Sequence, residues 1–410
     1  MRGNFITLAL IFSMIFIFIA SFAQAAENHK ARVIAHSDKE VKDAEQKGCK
    51  KVREAKTLKA LECSQSAASE LGLQEDVRVF ALGFEDKDKS VESKNHRVST
   101  QDANANKQIR ADLVQAAGNS GSGRKVVVLD TGYNYNHPEL SSSYLGGKDF
   151  VNDDNNPFDD NGHGSHVAGI ITGDGVNSRA KGVAPSAGVI AGKVLDASGS
   201  GYFSDVVAAI YWAVDGNDGI YGNVCTNSTN GTSCYSDDFN ADAISLSLGT
   251  SPPYTFKGFC DNVLPDLTNA ISYARSRNVV VVVAAGNSGS SGVSIPGCIS
   301  YSVTVGAVNN KDKIASFSGR GNAVDIVAPG VSIYSAWLSN SYVTASGTSM
   351  STPMASATVA LVKYSHPFYT PSQTENALFK TAKDLGKAGK DTSFGWGRID
   401  SYSAVNYVSP

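Results

Sequence analysis

The strongest constraint on the fold is a set of short β-branched runs: Val126–Leu129, Val189–Leu195, Ala243–Ser247, Val279–Val283 and Val303–Val305. They are apolar almost without interruption, so strands made from them cannot turn one face to water. Between them lie stretches of helical length, such as Tyr202 to Val214 and Leu264 to Ser276. This alternation predicts an α/β fold, a doubly wound, mostly parallel sheet with helices on both faces, whose reactive residues cluster at the carboxyl ends of the strands.

The N-terminal part follows other rules. After Arg2, an apolar run from Ile6 to Phe22 leads to Ala23-Gln24-Ala25, which predicts a cleaved export signal over residues 1–25 and a secreted, extracellular product. An uncleaved anchor is the rival, because the run is only slightly shorter than a membrane span. Residues 26–82 are densely charged but alternate apolar residues near Asp76 to Leu82, which predicts a small α+β unit. Residues 83–107 are polar without periodicity and read as an exposed linker, the natural place for proteolysis. Residues 108–410 then form one large domain.

Forty-two per cent apolar and 18 per cent charged residues, with a net charge of -3, give no electrostatic reason to expect nucleic acid or anionic membrane as partner. The expected state is a monomer. An even count of cysteines in an exported chain favours disulfides over metal or redox chemistry. Cys49 and Cys63 fall in the charged segment. The other four, Cys225, Cys234, Cys260 and Cys298, allow three connectivities, of which 225–234 with 260–298 closes the shortest loops.

Four short segments carry chemistry. Asp130 ends the first β-branched run, before Thr131-Gly132, a position that suits catalysis, metal ligation, ribose binding or helix capping alike. His163 lies between glycines in Asn161-Gly162-His163-Gly164-Ser165-His166, where other backbone can approach closely. Zinc binding with His166 is disfavoured, since no following Glu and no third ligand accompany the pair, and His166 is expected to be structural. Ser349, in Gly347-Thr348-Ser349-Met350-Ser351-Thr352-Pro353, precedes an apolar helical run. There the unpaired N–H groups and the helix dipole favour an oxyanion, although a simple N-cap is the alternative. The segment lacks the second glycine of a nucleophile elbow, which argues against an α/β-hydrolase. Asn287, at the tip of Val281 to Gly289, is either a turn residue or an oxyanion donor.

In the order Asp, His, Asn, Ser these segments resemble the subtilisin family of serine proteases. The likeness continues through Lys193-Val194-Leu195, Gly199-Ser200-Gly201, Ser247-Leu248-Gly249, Ala328-Pro329-Gly330 and Gly395 to Asp400. It implies a subtilisin-like fold and a secreted serine endopeptidase that forms an acyl-enzyme on Ser349. His163 would be the general base, Asp130 its orienting partner, and Asn287 with the Ser349 N–H the oxyanion hole. The resemblance places an extended protein or peptide substrate between Ser200, Gly201 and Tyr202 on one side and Ser247, Leu248 and Gly249 on the other. The pocket for the residue before the cut would be walled by Ala284, Ala285 and Gly286, with Ser294 at its base, an uncharged lining that suits medium or large apolar side chains.

The same resemblance makes residues 26–82 a propeptide that chaperones and inhibits the enzyme, a zymogen arrangement with maturation within 83–107. No cofactor is implied for the chemistry. A structural calcium is left open: Glu139 stands where the family commonly has Asp, Val176 where it has Asn, and the acidic stretch Asn152 to Asn156 with Asp159 and Asp160 either binds calcium or is a solvated loop. After Pro353 the chain has Met354-Ala355-Ser356-Ala357 in place of a His-containing sequence, which predicts repacking rather than inactivity. A narrow processing protease and a non-catalytic binding protein on the same fold are the alternatives.

Overall fold

Charge and apolar alternation in the N-terminal part translate into a small antiparallel sheet with two helices. The structure, a computed structural model, describes residues 30–83, 103–217, 224–228, 231–235 and 238–409. The expected export signal and most of the expected linker lie outside these residues. The chain divides into two units, residues 1–77 and 78–410.

In the first unit β1 (Lys30–Ala35), α1 (Asp38–Gln46), β2 (Lys50–Glu54), β3 (Lys59–Ser64), α2 (Gln65–Leu71) and β4 (Gln74–Glu75) follow one another. The sheet order is β2-β3-β1-β4, with antiparallel neighbours. Ser37 and Glu40 cap the start of α1 reciprocally, each side chain holding the other's backbone N–H. Val33, Val41, Leu61 and Ala67 make the core, and Cys49 is bonded to Cys63. A core this small gains from such a staple.

The second unit begins with β5 (Arg78–Ala81) and continues through β6 (Lys125–Asp130), β7 (Tyr144–Asp149), α3 (His163–Thr172), β8 (Gly188–Lys193), β9 (Ser200–Tyr202) and α4 (Phe203–Asp215). Then come β10 (Ala243–Leu246), β11 (Leu248–Gly249), α5 (Pro265–Ser276), β12 (Val280–Ala284), β13 (Val303–Val308), β14 (Ile326–Pro329) and α6 (Thr348–Ser365). Seven strands form one sheet in the order β14-β13-β12-β10-β6-β8-β7, every pairing parallel.

Burial explains why the strand sequences do not alternate. Val126, Val128, Val280, Val282, Val303 and Val305 share one core with Val167 and Ile171 of α3 and Met354 and Ala357 of α6. Val127, Leu129, Val281 and Val283, which point the other way, are equally buried, and α4 and α5 lie against β6 and β12. The sheet is therefore parallel and flanked by helices, as the apolar runs require. Met354 is itself buried in this core, which accounts for the apolar start of α6.

Strand β6 has β8 on one side and β10 on the other, so the order reverses beside its carboxyl end, where ligands bind in such sheets. Asp130 stands there. Edge strand β7, with the half-buried sequence Tyr144-Leu145-Gly146-Gly147-Lys148-Asp149, is too glycine-rich to be legible as a strand. Cys260 and Cys298 are disulfide-bonded. In the hairpin of Val224–Ser228 and Gly231–Tyr235, residues 225 and 234 are opposite in register, but their expected bond lies outside what the structure describes.

Candidate active site

A buried carboxylate and a buried imidazole meet at the end of β6. Asp130 Oδ1 accepts the Thr131 N–H at 2.8 Å and lies 2.6 Å from His163 Nδ1. Both side chains are essentially inaccessible to solvent. His163 opens α3, whose first turn is fixed by Asp159, the acceptor for the Gly162 and Ser165 N–H groups and the hydroxyls of Ser165 and Thr131. Gly164 is required: a Cβ there would come within 2.2 Å of the Gly132 carbonyl oxygen. The buried Lys193 ammonium donates to the carbonyls of Thr131 and Leu195 and to Asp160, tying the loop after Asp130 to the end of β8.

His166, one turn further along α3, has a different character. Its Nε2 donates to the carbonyls of Ile333 and Val343. Burial, then the neighbouring His163, push its pKa down to about 3 against the opposing pull of those two carbonyls. It is a neutral structural residue, as the missing metal-binding partners suggested.

Ser349 is the second residue of α6. Its hydroxyl donates to the Ser247 carbonyl at 2.9 Å, and the Ser247 hydroxyl donates back to the Ser349 carbonyl at 3.0 Å. Asn287 follows the end of β12, and its Oδ1 accepts both the N–H and the hydroxyl of Thr348 at 3.0 Å. That pair of bonds leaves its amide nitrogen facing Gly347.

The groove of this unit is filled by its own first residues. Strand β5 lies antiparallel between β11 and β9, with Arg78, Val79 and Phe80 opposite Tyr202, Gly201 and Ser200, and with Phe80 and Ala81 opposite Gly249 and Leu248. The Ala81 N–H donates to Gly199 at 2.8 Å and the Leu82 N–H to Ser247 at 3.3 Å. Ser200, Gly201 and Tyr202 on one side and Ser247, Leu248 and Gly249 on the other flank this segment of the chain itself.

Several of these groups lie close to the peptide bond between Leu82 and Gly83. A Cβ on Gly347 would lie 2.7 Å from the Leu82 carbonyl oxygen and 3.2 Å from Asn287 Nδ2, so donor and carbonyl share one small space. A Cβ on Gly83 would lie 3.5 Å from His163 Nε2 and from the Met350 sulfur. The Leu82 side chain reaches Gly249 beside Ser294, each 2.9 Å from a Cβ built there. Ser294 is buried, its N–H bonded to Ala285, and its hydroxyl has no partner among the described residues. Gly286, with φ +94°, has no room for a side chain against that hydroxyl. Ala285 and Gly286 thus lie against Ser294, which itself stands beside the Leu82 side chain.

Sequence reasoning missed Thr348, which orients Asn287, and took Asp159, which fixes the turn bearing His163, only as part of an acidic stretch. Lys193 was noticed only as part of a motif, although a lysine inside an apolar strand is itself a signal. In the loop where calcium was left open, the buried Glu139 carboxylate accepts the N–H groups of Gly175 at 2.7 Å and Asn177 at 2.5 Å and the Tyr342 hydroxyl at 3.0 Å. Asp149 is occupied by the N–H groups of Val151 and Asn152. Among the described residues no three His, Cys, Asp or Glu side chains are grouped to hold a metal.

An Asp–His pair and a serine at a helix start, beside a groove that pairs with an extended strand, define the class: a serine peptidase on a parallel α/β sheet. Comparison with known proteins agrees, and the model of the subtilase family matches residues 121–397. The chain is 38% identical over 287 residues to the thermophilic serine proteinase of Bacillus sp. (strain AK1), covering 70% of this chain and 62% of that one, less than two thirds of its length. It is 36% identical over 298 residues to Subtilisin Savinase of Lederbergia lenta, covering 73% and 96%, and 37% identical over 282 residues to Subtilisin DY of Bacillus licheniformis, covering 68% and 90%. The chain belongs to the subtilase family, and its machinery is that of a subtilisin-like serine endopeptidase.

Proposed function

We propose that this chain is the precursor of a secreted, broad endopeptidase that matures by cutting its own Leu82–Gly83 bond. The observation that carries the proposal is the convergence of His163, Asn287, Gly347 and Ser247 on that one peptide group. Ser349 Oγ attacks the Leu82 carbonyl carbon while His163 Nε2 takes its proton, and Asp130 holds the imidazole tautomer and stabilises the imidazolium. Asn287 Nδ2 and the Ser349 N–H bind the oxyanion. Collapse breaks the C–N bond, the Gly83 amine leaves with the proton from His163, and water then releases Leu82 from the acyl-enzyme.

Residues 26–82 act in this reading as propeptide. After the cut, Val79 to Leu82 stay paired with β9 and β11 and block the groove as a bound product. Because that pairing uses backbone groups, it accepts many sequences, while the uncharged pocket beside Leu82 selects apolar side chains. The predicted maturation bond is the upstream border of the polar linker. Export through residues 1–25 and an extracellular site of action complete the proposal.

The test is to purify the full precursor and to weigh the released fragment. A fragment ending at Leu82 from the wild type, and an intact Ser349→Ala precursor, are expected. A fragment ending elsewhere, or trimming of pure Ser349→Ala, overturns the self-processing assignment.

A further inference from the structure

We propose that the groove carries a recognition site for a guanidinium five residues upstream of the cleaved bond, built from Tyr202, Ser200 and Asp196. The inference rests on the reading of Leu82–Gly83 as the scissile bond and extends it to substrate choice.

Arg78 is the last residue that β9 pairs, and it sits directly opposite Tyr202. Directly opposed residues of antiparallel strands share a face, so the two side chains meet. The guanidinium carbon lies 5.0 Å above the Tyr202 ring and 6.0 Å from the Phe80 ring. One guanidinium nitrogen, Nη2, donates to Ser200 Oγ at 2.5 Å. That hydroxyl is not loose: Ser200 is buried, and its Oγ lies 3.3 Å from each carboxylate oxygen of Asp196 and 2.8 Å from Ser198 Oγ. Accepting from the cation and donating to the carboxylate, Ser200 passes the charge interaction on.

Asp196 is fixed in the anionic form that this relay needs. Its Oδ1 accepts the N–H groups of Ser198 and Ser200 and the Ser198 hydroxyl. Burial works against ionisation there, but these hydrogen bonds outweigh it and hold the carboxyl below its ordinary range. An aromatic face, a hydroxyl acceptor and a carboxylate behind it match the flat, multi-donor guanidinium better than an ammonium.

The consequence is a substrate frame with two fixed ends. Backbone pairing alone lets a chain slide by steps without losing its bonds. An apolar side chain next to the cut and an arginine four positions before it select one register, the spacing Arg-x-x-x-Leu seen in Arg78-Val79-Phe80-Ala81-Leu82. Arg78 is exposed, so the gain is moderate.

The experiment compares kcat/KM of the mature enzyme on three peptides that span the sequence of residues 76–86, with arginine, lysine or glutamine at the position of Arg78. The arginine peptide should exceed the glutamine peptide by about tenfold, with lysine between them. In Tyr202→Leu and in Asp196→Asn that ratio should fall to about two, each variant being its own reference through the glutamine peptide. A wild-type ratio near one, or an undiminished ratio in both variants, overturns the inference while leaving the Leu–Gly cut in place. Failure to cut any peptide at Leu–Gly overturns the parent reading instead.

Discussion

Acidification should weaken this protein through a residue that takes no part in catalysis. His166 titrates at about 3 when folded against an ordinary value of 6.5. Between those values the unfolded chain binds a proton that the folded chain refuses, so stability rises with pH across this window. The contribution is complete above the unfolded value and is lost as pH falls below it. From about pH 7.5 to about pH 5 the loss from this one group is ~2 kcal/mol. Other groups titrate too, among them His137, which burial also pushes down. The clean measurement is therefore a difference. His166→Gln keeps a donor for the Ile333 and Val343 carbonyls but carries no titrating ring. In a Ser349→Ala background, which removes self-digestion, urea unfolding of both forms at the two pH values gives the comparison. The variant should be less stable at the higher pH, and the gap should close by ~2 kcal/mol at the lower one. A gap that stays constant to within about 0.5 kcal/mol would show that His166 is not held neutral, and the reasoning would fail.

Further outcomes follow from the same geometry. Ser349→Ala should abolish turnover, read with a peptide substrate and with a phosphonofluoridate probe that no longer labels the protein. Asn287→Ala should fold and lose kcat equivalent to about 2.7 to 4 kcal/mol, a figure known for subtilisin's own oxyanion donor rather than worked from this chain; KM should change much less. Replacing Cys260 and Cys298 by alanine opens a loop with a sequence separation of 38. Chain entropy puts the loss at ~3.9 kcal/mol, to be read from the urea midpoint. Glu139→Gln removes the anionic acceptor of the loop from Gly175 to Asn177 and should cost roughly 1 to 3 kcal/mol, whereas chelator should leave the wild-type Tm where it is; a drop on chelation would reveal a cation in that loop.

Sequence legibility tracked locality. Strands β6, β8, β10, β12 and β13 were readable because burial on both faces leaves an unbroken apolar run, and helices α4 and α5 because they fill the intervals between such runs. Asp130, His163, Asn287 and Ser349 stood out since each sits where a run meets a glycine-rich turn. What could not be read was placement at a distance. The alternation from Asp76 to Leu82 suggested a small α+β unit, but nothing in it says that the partners of Arg78–Ala81 are Ser200–Tyr202 and Leu248–Gly249. Glu139 stood out only as a Glu where the family commonly has Asp, and the backbone N–H groups that it accepts could not be read, because any sequence supplies such groups. The strand β7 was invisible for the opposite reason, as a half-buried edge tolerates glycines that an interior strand would not.

Ser349 belongs to the first turn of a deeply enclosed helix, in which every residue from Thr348 to Lys363 is buried. Such a helix cannot fray locally without opening the whole interior. Counting reactive serines with a stoichiometric inhibitor therefore counts intact molecules, and a preparation that has lost half its titratable sites has lost half its native population rather than dimmed each member by half.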